Sequence, residues 1–403
     1  MADKSPRLIV FSSLYPSRVR PNAGVFIRER MSKVARHCDL VVISPVPWFP
    51  LQSLIQGFKP EYRPQPDGYE EQDGTAVYFP RFLSIPGIGR SWDGFFMALC
   101  SLVICFRIKK DFAFNLIDAH FAYPDGYAAT LLGKWFKVPV TITLRGTEMP
   151  LSKIPNRRQR LLTALNDAAR VFSVSDSLKR HVVNLGADAE KIRVVGNGID
   201  TAKFFPIDKK QARQFWQIPT DAQVLISVGG LVERKGFHRV IEILPGLIEN
   251  YPRLLYLIVG GASPEGNIRS RLEQQVETLN LGQHVRFLGA LPAEQLHGPL
   301  SAADIFVLAT ANEGWANVFL EAMACGLPVI STDVGGNREV VANERLGTIV
   351  PFGDADALFL ALDNALQRQR QWDRQAIVNY AADNSWDKRV DILLAEFKKL
   401  VES

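Results

Sequence analysis

The chain has 403 residues, of which 47% are hydrophobic and 22% are charged, a composition typical of a soluble globular protein with room for two domains. Its four cysteines are scattered without metal-ligand spacing, which argues against a zinc site or a disulfide framework and predicts reduced core residues in a cytoplasmic protein. The net charge of +5 is uneven, because residues 1–200 carry 27 Lys and Arg against 18 Asp and Glu, while residues 201–403 carry 20 against 24.

The basic first half has three interpretations: a nucleic-acid partner, an anionic membrane surface, or an anionic acceptor. Aromatic residues are not interleaved with the basic clusters at 18–36 and 153–160, which argues against nucleic acid. Solvated helix faces are the simplest explanation of these clusters. An anionic membrane surface is kept as a candidate partner.

In chain order, residues 1–7 show no signal-peptide pattern and lead directly into a predicted strand at 7–11. Further strands are predicted at 40–44, 116–120, 138–144 and 170–174, with helices at 25–36 and 126–136. The apolar segment 95–106 is shorter than the roughly 20 residues that span a bilayer. We predict a buried helix there, with an interfacial helix as the alternative.

The second half continues the alternation, with strands predicted at 224–229, 255–259, 285–288, 305–308 and 328–332 and helices at 237–250, 269–279 and 387–402. Such alternation predicts an α/β fold of two Rossmann-like, doubly wound parallel-sheet domains facing a cleft. A turn at 197–200 followed by a polar stretch places the boundary there. We expect domains at 1–200 and 201–385.

Two carboxylates, Glu313 and Glu321, lie eight positions apart around a glycine loop that leads into a predicted helix. The loop carries Gly314, and the helix begins near Asn317 and Val318. Backbone N–H groups at such a helix start bind phosphate, whereas flanking carboxylates are suited to accept hydrogen bonds from sugar hydroxyls. A phosphate between two hydroxyl-rich rings describes a nucleotide sugar. For either carboxylate alone, an exposed helix face is the simpler explanation.

A second glycine loop follows the strand predicted at 224–229. Gly230, Arg234 and Lys235 lie in it, with both cations at the opening of the next helix. Arg can bind two phosphate oxygens, Lys adds a mobile charge, and glycine allows a close backbone approach, so the loop suits a diphosphate. A solvated loop is the alternative. The sequence contains no G-x-G-x-x-G, which argues against a dinucleotide-dependent oxidoreductase.

Together these segments resemble the E-x7-E element of retaining glycosyltransferases of the GT-B fold, family 4 (glycosyl transferases group 1), of the bacterial cell-surface polysaccharide type. Gly-Leu-Pro-Val-Ile at 326–330 and Gly-Gly-Asn-Arg-Glu-Val-Val at 335–341 follow in the family's order. The resemblance covers most of the chain and implies that Glu313 holds the sugar and Glu321 the ribose. It implies that Arg234 and Lys235 hold the diphosphate, and that the helix at 386–403 packs back on the first domain. One departure is Gly230, where many members have Arg.

The same resemblance assigns residues of the first domain. Gly24 lies in a loop similar to the family's N-terminal glycine loop, which adjoins donor and acceptor. His120 resembles the histidine that contacts the transferred sugar, although a lone histidine is more often structural. Arg145 and Glu148 end the next strand, and either side chain is a candidate to reach the acceptor.

No metal is required by anything visible in the sequence. Asp354 and Asp356 match a D-x-D pattern, but they follow a glycine and open a helical segment, so we predict helix capping there. The histidines and cysteines form no cluster with zinc spacing. We therefore expect no cofactor, with a UDP- or GDP-linked sugar as co-substrate.

The expected function is metal-independent, retaining transfer of a sugar, of the hexosyltransferase type, to a saccharide or lipid-linked acceptor in polysaccharide or glycolipid biosynthesis. The expected location is the cytoplasm, with peripheral attachment to the inner membrane face as a further expectation. The alternatives are a nucleotide-sugar epimerase or phosphorylase on the same fold, and a non-catalytic sugar-nucleotide-binding protein. Sugar transfer or slow donor hydrolysis would separate an enzyme from a binding protein.

Overall fold

The computed structural model describes residues 5–59, 62–87, 89–263, 265–368 and 371–402. The expectation about the first residues of the chain therefore falls partly outside the described part. Two compact units are present, one formed by residues 1–196 with 389–403 and the other by residues 197–388. They are called unit 1 and unit 2.

Unit 1 is built on a sheet whose described strands run in the order β10-β9-β8-β7-β1-β2-β5-β4, with only β4 and β5 antiparallel to each other. A separate pair, β3 and β6, lies beside it. The strands are β1 (Leu8–Phe11), β2 (Leu40–Ile43), β3 (Val46–Trp48), β4 (Tyr69–Gln72), β5 (Thr75–Tyr78), β6 (Arg81–Leu83), β7 (Leu116–His120), β8 (Val140–Leu144), β9 (Arg170–Ser173) and β10 (Ile192–Val194).

The helices of unit 1 connect these strands. They are α1 (Val25–Val34), α2 (Gln52–Phe58), α3 (Asp93–Asp111), α4 (Tyr127–Phe136), α5 (Glu148–Leu151), α6 (Pro155–Asp167) and α7 (Asp176–Asn184). Strands β1, β7 and β8 are fully buried, as expected of parallel strands covered on both faces, and β7 and β8 carry polar residues among their apolar ones.

Unit 2 has a parallel sheet whose described strands run in the order β13-β12-β11-β14-β15-β16. The strands are β11 (Gln223–Val228), β12 (Leu254–Val259), β13 (Val285–Gly289), β14 (Ile305–Leu308), β15 (Val329–Thr332) and β16 (Gly347–Val350). The helices are α8 (Lys209–Phe215), α9 (Phe237–Asn250), α10 (Arg269–Thr278), α11 (His297–Ala302), α12 (Asn317–Ala324), α13 (Asn337–Val340), α14 (Ala355–Gln367) and α15 (Arg374–Asp383). Apolar clusters cover both faces of the sheet.

The last helix, α16 (Trp386–Glu402), begins in unit 2 and continues into unit 1. Its residues Val390, Leu393 and Phe397 are buried in the core of unit 1. On the same helix Glu396 forms ion pairs with Arg170 and Arg193 of that unit. The α/β architecture with two parallel sheets confirms the predicted fold class.

The interpretation of the apolar segment 95–106 needs correction. It belongs to α3, and the helical segment Arg90–Asp111 is long and apolar enough to cross a membrane by length and composition alone. Only 33% of its most apolar stretch is buried, so the prediction of a buried helix holds for one face. The sequence segment was too short because it left out the helical residues on either side.

The capping interpretation of the D-x-D pattern is confirmed. Asp354 is the N-cap of α14, and its Oδ1 accepts a hydrogen bond of 2.8 Å from the backbone N–H of Ala357.

In each sheet the connections from two neighbouring parallel strands lead to opposite sides, and ligands of doubly wound sheets bind at the carboxyl ends of the strands at such a place. In unit 1 this place lies between β1 and β7, and in unit 2 between β11 and β14. The residues that follow these four strands are therefore the structural candidates for a site.

Candidate active site

The loop after β11 requires glycine for two different reasons. Gly229 has a φ of 156°, and the stem of Lys235 lies over it, with Cε 3.6 Å from the position that a Cβ would occupy. A Cβ on Gly230 would lie 3.0 Å from the Cβ of Ser263. A side chain at this position, such as the Arg of many family members, would therefore require Ser263 to move by a few tenths of an ångström.

Both cations of this loop converge on one carboxylate. Lys235 Nζ donates to Glu313 Oε1 at 2.6 Å, and Arg234 Nη1 lies 3.4 Å from the same oxygen. The hydroxyl of Thr310 donates to it at 3.1 Å. Because β11 and β14 are neighbours in the sheet, the loops that follow them meet at this point. The structure thus brings together three residues that the sequence assigned to one donor.

Arg234 has a second acidic partner that the sequence reasoning missed. Its Nε and Nη2 donate to the two carboxylate oxygens of Glu265 at 2.6 and 2.7 Å, a bidentate pair. The hydrogen bond from Arg234 lowers the pKa of Glu265. No local sequence signal marks this pair, because its members lie on different loops 31 residues apart.

The start of α12 has the form expected of an anion-binding helix terminus. The N-cap residue, Ala316, has no side-chain group that could cap the first turn, so no side chain competes with an anion there. The first turn contains Asn317 and Val318 and follows Gly314. Asn317 Oδ1 accepts a hydrogen bond of 2.8 Å from Asn197. Glu321 lies one turn further along the helix, so Asn317 and Glu321 share a face.

The Glu313 loop is held by a close approach of backbone. Gly335 has a φ of 54°, and a Cβ on it would lie 1.6 Å from the carbonyl oxygen of Glu313. The two loops can touch only because position 335 has no side chain. This contact links the glycine pair at 335–336 to the site, a role for which the sequence gave no explanation.

In unit 1, the ends of β1 and β7 are joined through Asp125. Its carboxylate accepts hydrogen bonds from the backbone N–H of Ser13 and from the Ser13 hydroxyl, the latter at 3.1 Å. Gly24, at the end of the loop that follows β1, has a φ of 67°, and a Cβ there would lie 2.1 Å from the carbonyl oxygen of Leu14. Glycine is therefore needed at position 24 for this loop to close on itself.

His120 lies at the carboxyl end of β7, as predicted, but it has no exposed surface. Arg145 Nη2 lies 2.9 Å from its Nδ1, and because a guanidinium only donates, the ring proton must be on Nε2. Burial, with Arg145 and Arg30 nearby, lowers the pKa of His120 well below its ordinary value, so the ring is neutral. In this structure His120 orients Arg145, and direct sugar contact by His120 would require Arg145 to move.

Glu148 is also fully buried. Its two oxygens accept hydrogen bonds from the backbone N–H groups of Ala122, Arg145 and Gly146, at 3.2, 3.2 and 2.8 Å. The sequence left Arg145 and Glu148 as alternative acceptor contacts. In the structure Glu148 holds the loop in place, and Arg145 is the one that is partly exposed. The sequence could not distinguish them because both follow the same strand.

A cavity of about 440 Å³ opens beside these strand ends. Its wall is partly apolar, formed by Phe121, Tyr123, Pro124, Pro150 and Leu151. Its polar lining consists of Ser13, Arg90, Asp93, Asp125, Thr147 and Arg157. Sequence reasoning had not connected Arg90 and Arg157, which lie far apart in the chain, with a common site.

The donor atoms for a metal are dispersed in both units. Among the residues that the structure describes, His, Cys, Asp and Glu side chains form no group of three able to hold a metal ion.

Two family models match the chain. The family described as Glycosyl transferases group 1 matches residues 208–402, and the one described as Glycosyltransferase Family 4 matches residues 58–203. These segments correspond to most of unit 2 with α16 and to much of unit 1.

Curated relatives and solved structures agree with this assignment. The chain is 28% identical to a putative teichuronic acid biosynthesis glycosyltransferase, TuaC, of Bacillus subtilis, over 82% of each chain. It is 31% identical to a D-inositol 3-phosphate glycosyltransferase of Corynebacterium urealyticum, over 75% of this chain and 76% of that one. The fold matches sucrose-phosphate synthase from Thermosynechococcus elongatus with a TM-score of 0.80 at 20% identity, over 98% and 99% of the chains.

A second solved structure, Anabaena HepE in complex with UDP, matches with a TM-score of 0.74 at 18% identity, over 98% of this chain and 100% of that one. Sequence, fold and the arrangement of the motifs therefore agree: the chain belongs to glycosyltransferase family 4 and has the GT-B fold.

Proposed function

We propose that this glycosyltransferase moves a sugar from a UDP- or GDP-linked donor to a hydroxyl of a saccharide or lipid-linked acceptor, with retention of the anomeric configuration. The observation that carries the proposal is the convergence of Lys235 and Arg234 on Glu313 at the point where the sheet order of unit 2 reverses. Two cations suited to a diphosphate touch a carboxylate suited to sugar hydroxyls.

The names of similar proteins support a nucleotide-sugar donor. HepE of Anabaena was determined with UDP-glucose, and a Mycolicibacterium smegmatis relative is described as a GDP-mannose-dependent phosphatidylinositol monomannoside mannosyltransferase. The base is therefore left open between uracil and guanine. TuaC is described as a putative glycosyltransferase of teichuronic acid biosynthesis, and the description of the Mycolicibacterium smegmatis relative names a phosphatidylinositol monomannoside, so relatives are described for both a polysaccharide and a glycolipid.

On the donor side, each proposed contact follows from charge and position. Arg234, Lys235 and the backbone N–H groups from Gly314 to Val318 would bind the diphosphate, with Gly230 allowing close approach. Glu321, one turn into α12, would accept hydrogen bonds from the ribose hydroxyls. Glu313 would accept them from the transferred sugar.

The reaction breaks the bond between the anomeric carbon and the diphosphate oxygen, and the electron pair leaves with the diphosphate. Arg234, Lys235 and the α12 amides would stabilise the negative charge that develops there, which is where electrostatic catalysis acts most strongly. The acceptor oxygen bonds to the same face of the anomeric carbon, and its proton passes to the leaving phosphate. No protein nucleophile is needed for this route.

On the acceptor side, we assign Arg145 and the cavity between Arg90 and Arg157 to acceptor binding. Gly24 shapes the loop at the same strand ends. His120 and Glu148 act as positioning residues for Arg145, because both are buried and bonded to it or to its loop. Arg90 and Arg157 are the groups of this cavity that would contact a phosphate or carboxylate of the acceptor, and Asp93 and Asp125 of the same lining would accept from its hydroxyls.

The proposal includes metal independence, because two side-chain cations and a helix terminus can supply the positive charge at the leaving group. It also places the enzyme in the cytoplasm, at the inner face of the membrane when the acceptor is lipid-linked. Nucleic acid is not a proposed partner.

The donor site is tested by calorimetric titration of the full chain with UDP and GDP, in EDTA and in Mg²⁺. We expect one of the two to bind in both buffers, and Lys235→Ala to weaken it by about tenfold or more, as expected for loss of a charge-assisted contact. Lys210→Ala, the same change at an exposed position of α8, should leave affinity unchanged. Equal affinity of the two variants would reject the assignment, and binding without any donor turnover would favour the non-catalytic alternative.

A further inference from the structure

One face of α3 is apolar and open to solvent. Leu99, Val103 and Phe106 lie along a single stripe of the helix and are 46%, 56% and 58% exposed. No charged residue interrupts the helix between Asp93 and Arg107. We call this stripe the α3 face.

The opposite side of α3 is packed into unit 1. Met97, Ala98, Cys105 and Ile108 are buried, and the helix contacts α4 and β6. Since these contacts belong to the core, α3 cannot leave unit 1 to cross a bilayer without unfolding part of that unit. The apolar character of the exposed face therefore needs a different explanation from core packing or membrane spanning.

Positive charge borders the α3 face at its C-terminal end. Arg107, Lys109 and Lys110 occupy the last turns of the helix, and Lys109 lies 5.1 Å from the ring centroid of Phe136. Within the described ranges, neither Arg107 nor Lys110 forms an ion pair. An apolar stripe that ends in basic side chains is complementary to an anionic lipid surface, with acyl chains below and phosphate groups at the border.

A second element of unit 1 also exposes apolar side chains. Strand β6, which α3 contacts, pairs with β3, and β3 leads into α2. Leu54 and Phe58 of α2 are 63% and 93% exposed. Exposed apolar residues on two elements of one unit fit an extended flat partner better than a small ligand.

We propose that the α3 face is the surface by which this protein lies on an anionic membrane, with α3 parallel to the lipid surface. Leu99, Val103 and Phe106 enter the boundary between headgroups and acyl chains, while Arg107 and Lys110 contact the lipid phosphates. The inference rests on the proposed location of the enzyme and adds the surface that produces it. It does not depend on which sugar is transferred.

The test is co-flotation of the full chain with phosphatidylcholine vesicles prepared with and without phosphatidylglycerol. We expect binding to vesicles that contain phosphatidylglycerol and a decrease in that binding as salt is raised. The double variant Val103→Glu with Phe106→Glu should reduce binding by about tenfold or more, because it puts two charges at the apolar boundary. Arg107→Glu with Lys110→Glu should remove the preference for phosphatidylglycerol.

A matched control uses Phe215→Glu with Leu360→Glu, which makes the same two charge changes at exposed apolar positions of unit 2. These positions should leave vesicle binding unchanged, and melting temperatures would verify that both double variants fold. Absence of vesicle binding by the wild type, or equal losses in the two double variants, would overturn the proposal. A dimer in light scattering that Val103→Glu with Phe106→Glu separates would also overturn it, in favour of a second copy on the α3 face.

The vesicle assay includes no donor and no acceptor. Failure of the membrane proposal is therefore distinguishable from failure of the proposed sugar transfer, which the nucleotide titration tests separately.

Discussion

Lys235 and Glu313 are 78 residues apart in the sequence, yet Lys235 Nζ donates to Glu313 Oε1 at 2.6 Å. The pair joins the loops that follow β11 and β14. A cation assigned to phosphate is thus held by a carboxylate assigned to sugar. Under the proposed function, binding of a donor would separate Lys235 from Glu313, with one on the diphosphate and the other on the sugar.

Glu313→Gln should separate donor affinity from turnover. The variant keeps the size of the side chain but removes the negative charge that competes for Lys235, so affinity for the free nucleoside diphosphate should rise. Sugar transfer should fall by about tenfold or more, because a hydrogen bond to a charged acceptor contributes about 1.5–3 kcal/mol. Calorimetry and a nucleotide-release assay measure the two effects. Parallel loss of both would contradict the separate roles.

Glu265→Gln should increase the affinity for the nucleoside diphosphate. Glu265 holds Arg234 in a bidentate pair, and Arg234 must share or leave that pair to bind phosphate. Exposed ion pairs contribute about 0.2–1 kcal/mol, so the gain should be up to about fivefold. Glu233→Gln, which removes an acid paired with Arg271 instead, is the control. An unchanged affinity in Glu265→Gln would place Arg234 outside the diphosphate site.

Gly335→Ala should damage the site through the backbone of Glu313. The added Cβ would lie 1.6 Å from the Glu313 carbonyl oxygen, so one of the two loops must move. Gly353→Ala is matched, since its φ of 85° is also positive but a Cβ there meets nothing within 4 Å. Both variants should lose about 1–2 kcal/mol of stability from the positive φ, and Gly335→Ala should lose more because of the clash with the Glu313 backbone. Only Gly335→Ala should also lose nucleotide affinity, and equal affinities would show that this contact does not position Glu313.

Among the acidic residues of unit 2, substitution of Asp304 is predicted to reduce stability most. It has no exposed surface and accepts from Arg213 Nη2 at 2.9 Å and from the backbone N–H of Val224 at 2.8 Å, with Lys209 as a further partner. Asp304→Asn should lower the free energy of unfolding by about 3–5 kcal/mol, because it leaves the buried Arg213 without its negative partner. Asp333→Asn, which breaks the exposed pair with Arg338, should cost less than about 1 kcal/mol. Urea unfolding followed by tryptophan fluorescence compares them.

The burial of Asp125 should make the free energy of unfolding depend on pH. Burial raises the pKa of its carboxyl from 3.8 to about 7, against the opposing effect of the hydrogen bonds from Ser13. The folded chain then keeps a proton that the unfolded chain has released, so the free energy of unfolding falls as pH rises from about 4 to about 7. Asp125→Asn lacks this titration. Its free energy of unfolding should therefore rise relative to that of the wild type across that interval, by at most about 4 kcal/mol.

Melting temperatures of both proteins across that interval provide the measurement. A difference between them that does not change with pH would show that Asp125 is ionised in the folded chain at acidic pH.

The sequence was sufficient to predict the order of strands and helices because hydrophobic periodicity is a local property. Strands β7 and β14 begin and end where the pattern predicted, and α9 has the predicted bounds. The Glu313 loop and the Arg234-Lys235 loop could be assigned to one donor because each carries its chemistry within a few residues.

What the sequence could not provide depends on contacts between distant segments. The Glu265 partner of Arg234, the burial of His120 beneath Arg145, and the backbone contact of Gly335 with Glu313 all join separate loops. A charged residue inside an otherwise apolar strand, such as Asp118 in β7, indicates that a buried polar network is present. That signal did not identify the partners of the residue. The exposed face of α3 was covered only by the alternative of an interfacial helix, because hydrophobicity alone cannot tell a core face from a solvent face.

Retaining, metal-independent sugar transfer is tested by proton NMR of α-linked UDP and GDP sugars with the full chain in EDTA. We expect one donor to release its nucleoside diphosphate, the first product anomer to be α, and Lys235→Ala to slow the release by about tenfold or more. A β anomer as first product would contradict retention, and release that needs a divalent metal would contradict metal independence. Release that is equally fast in Lys235→Ala would contradict the role of Lys235 at the diphosphate.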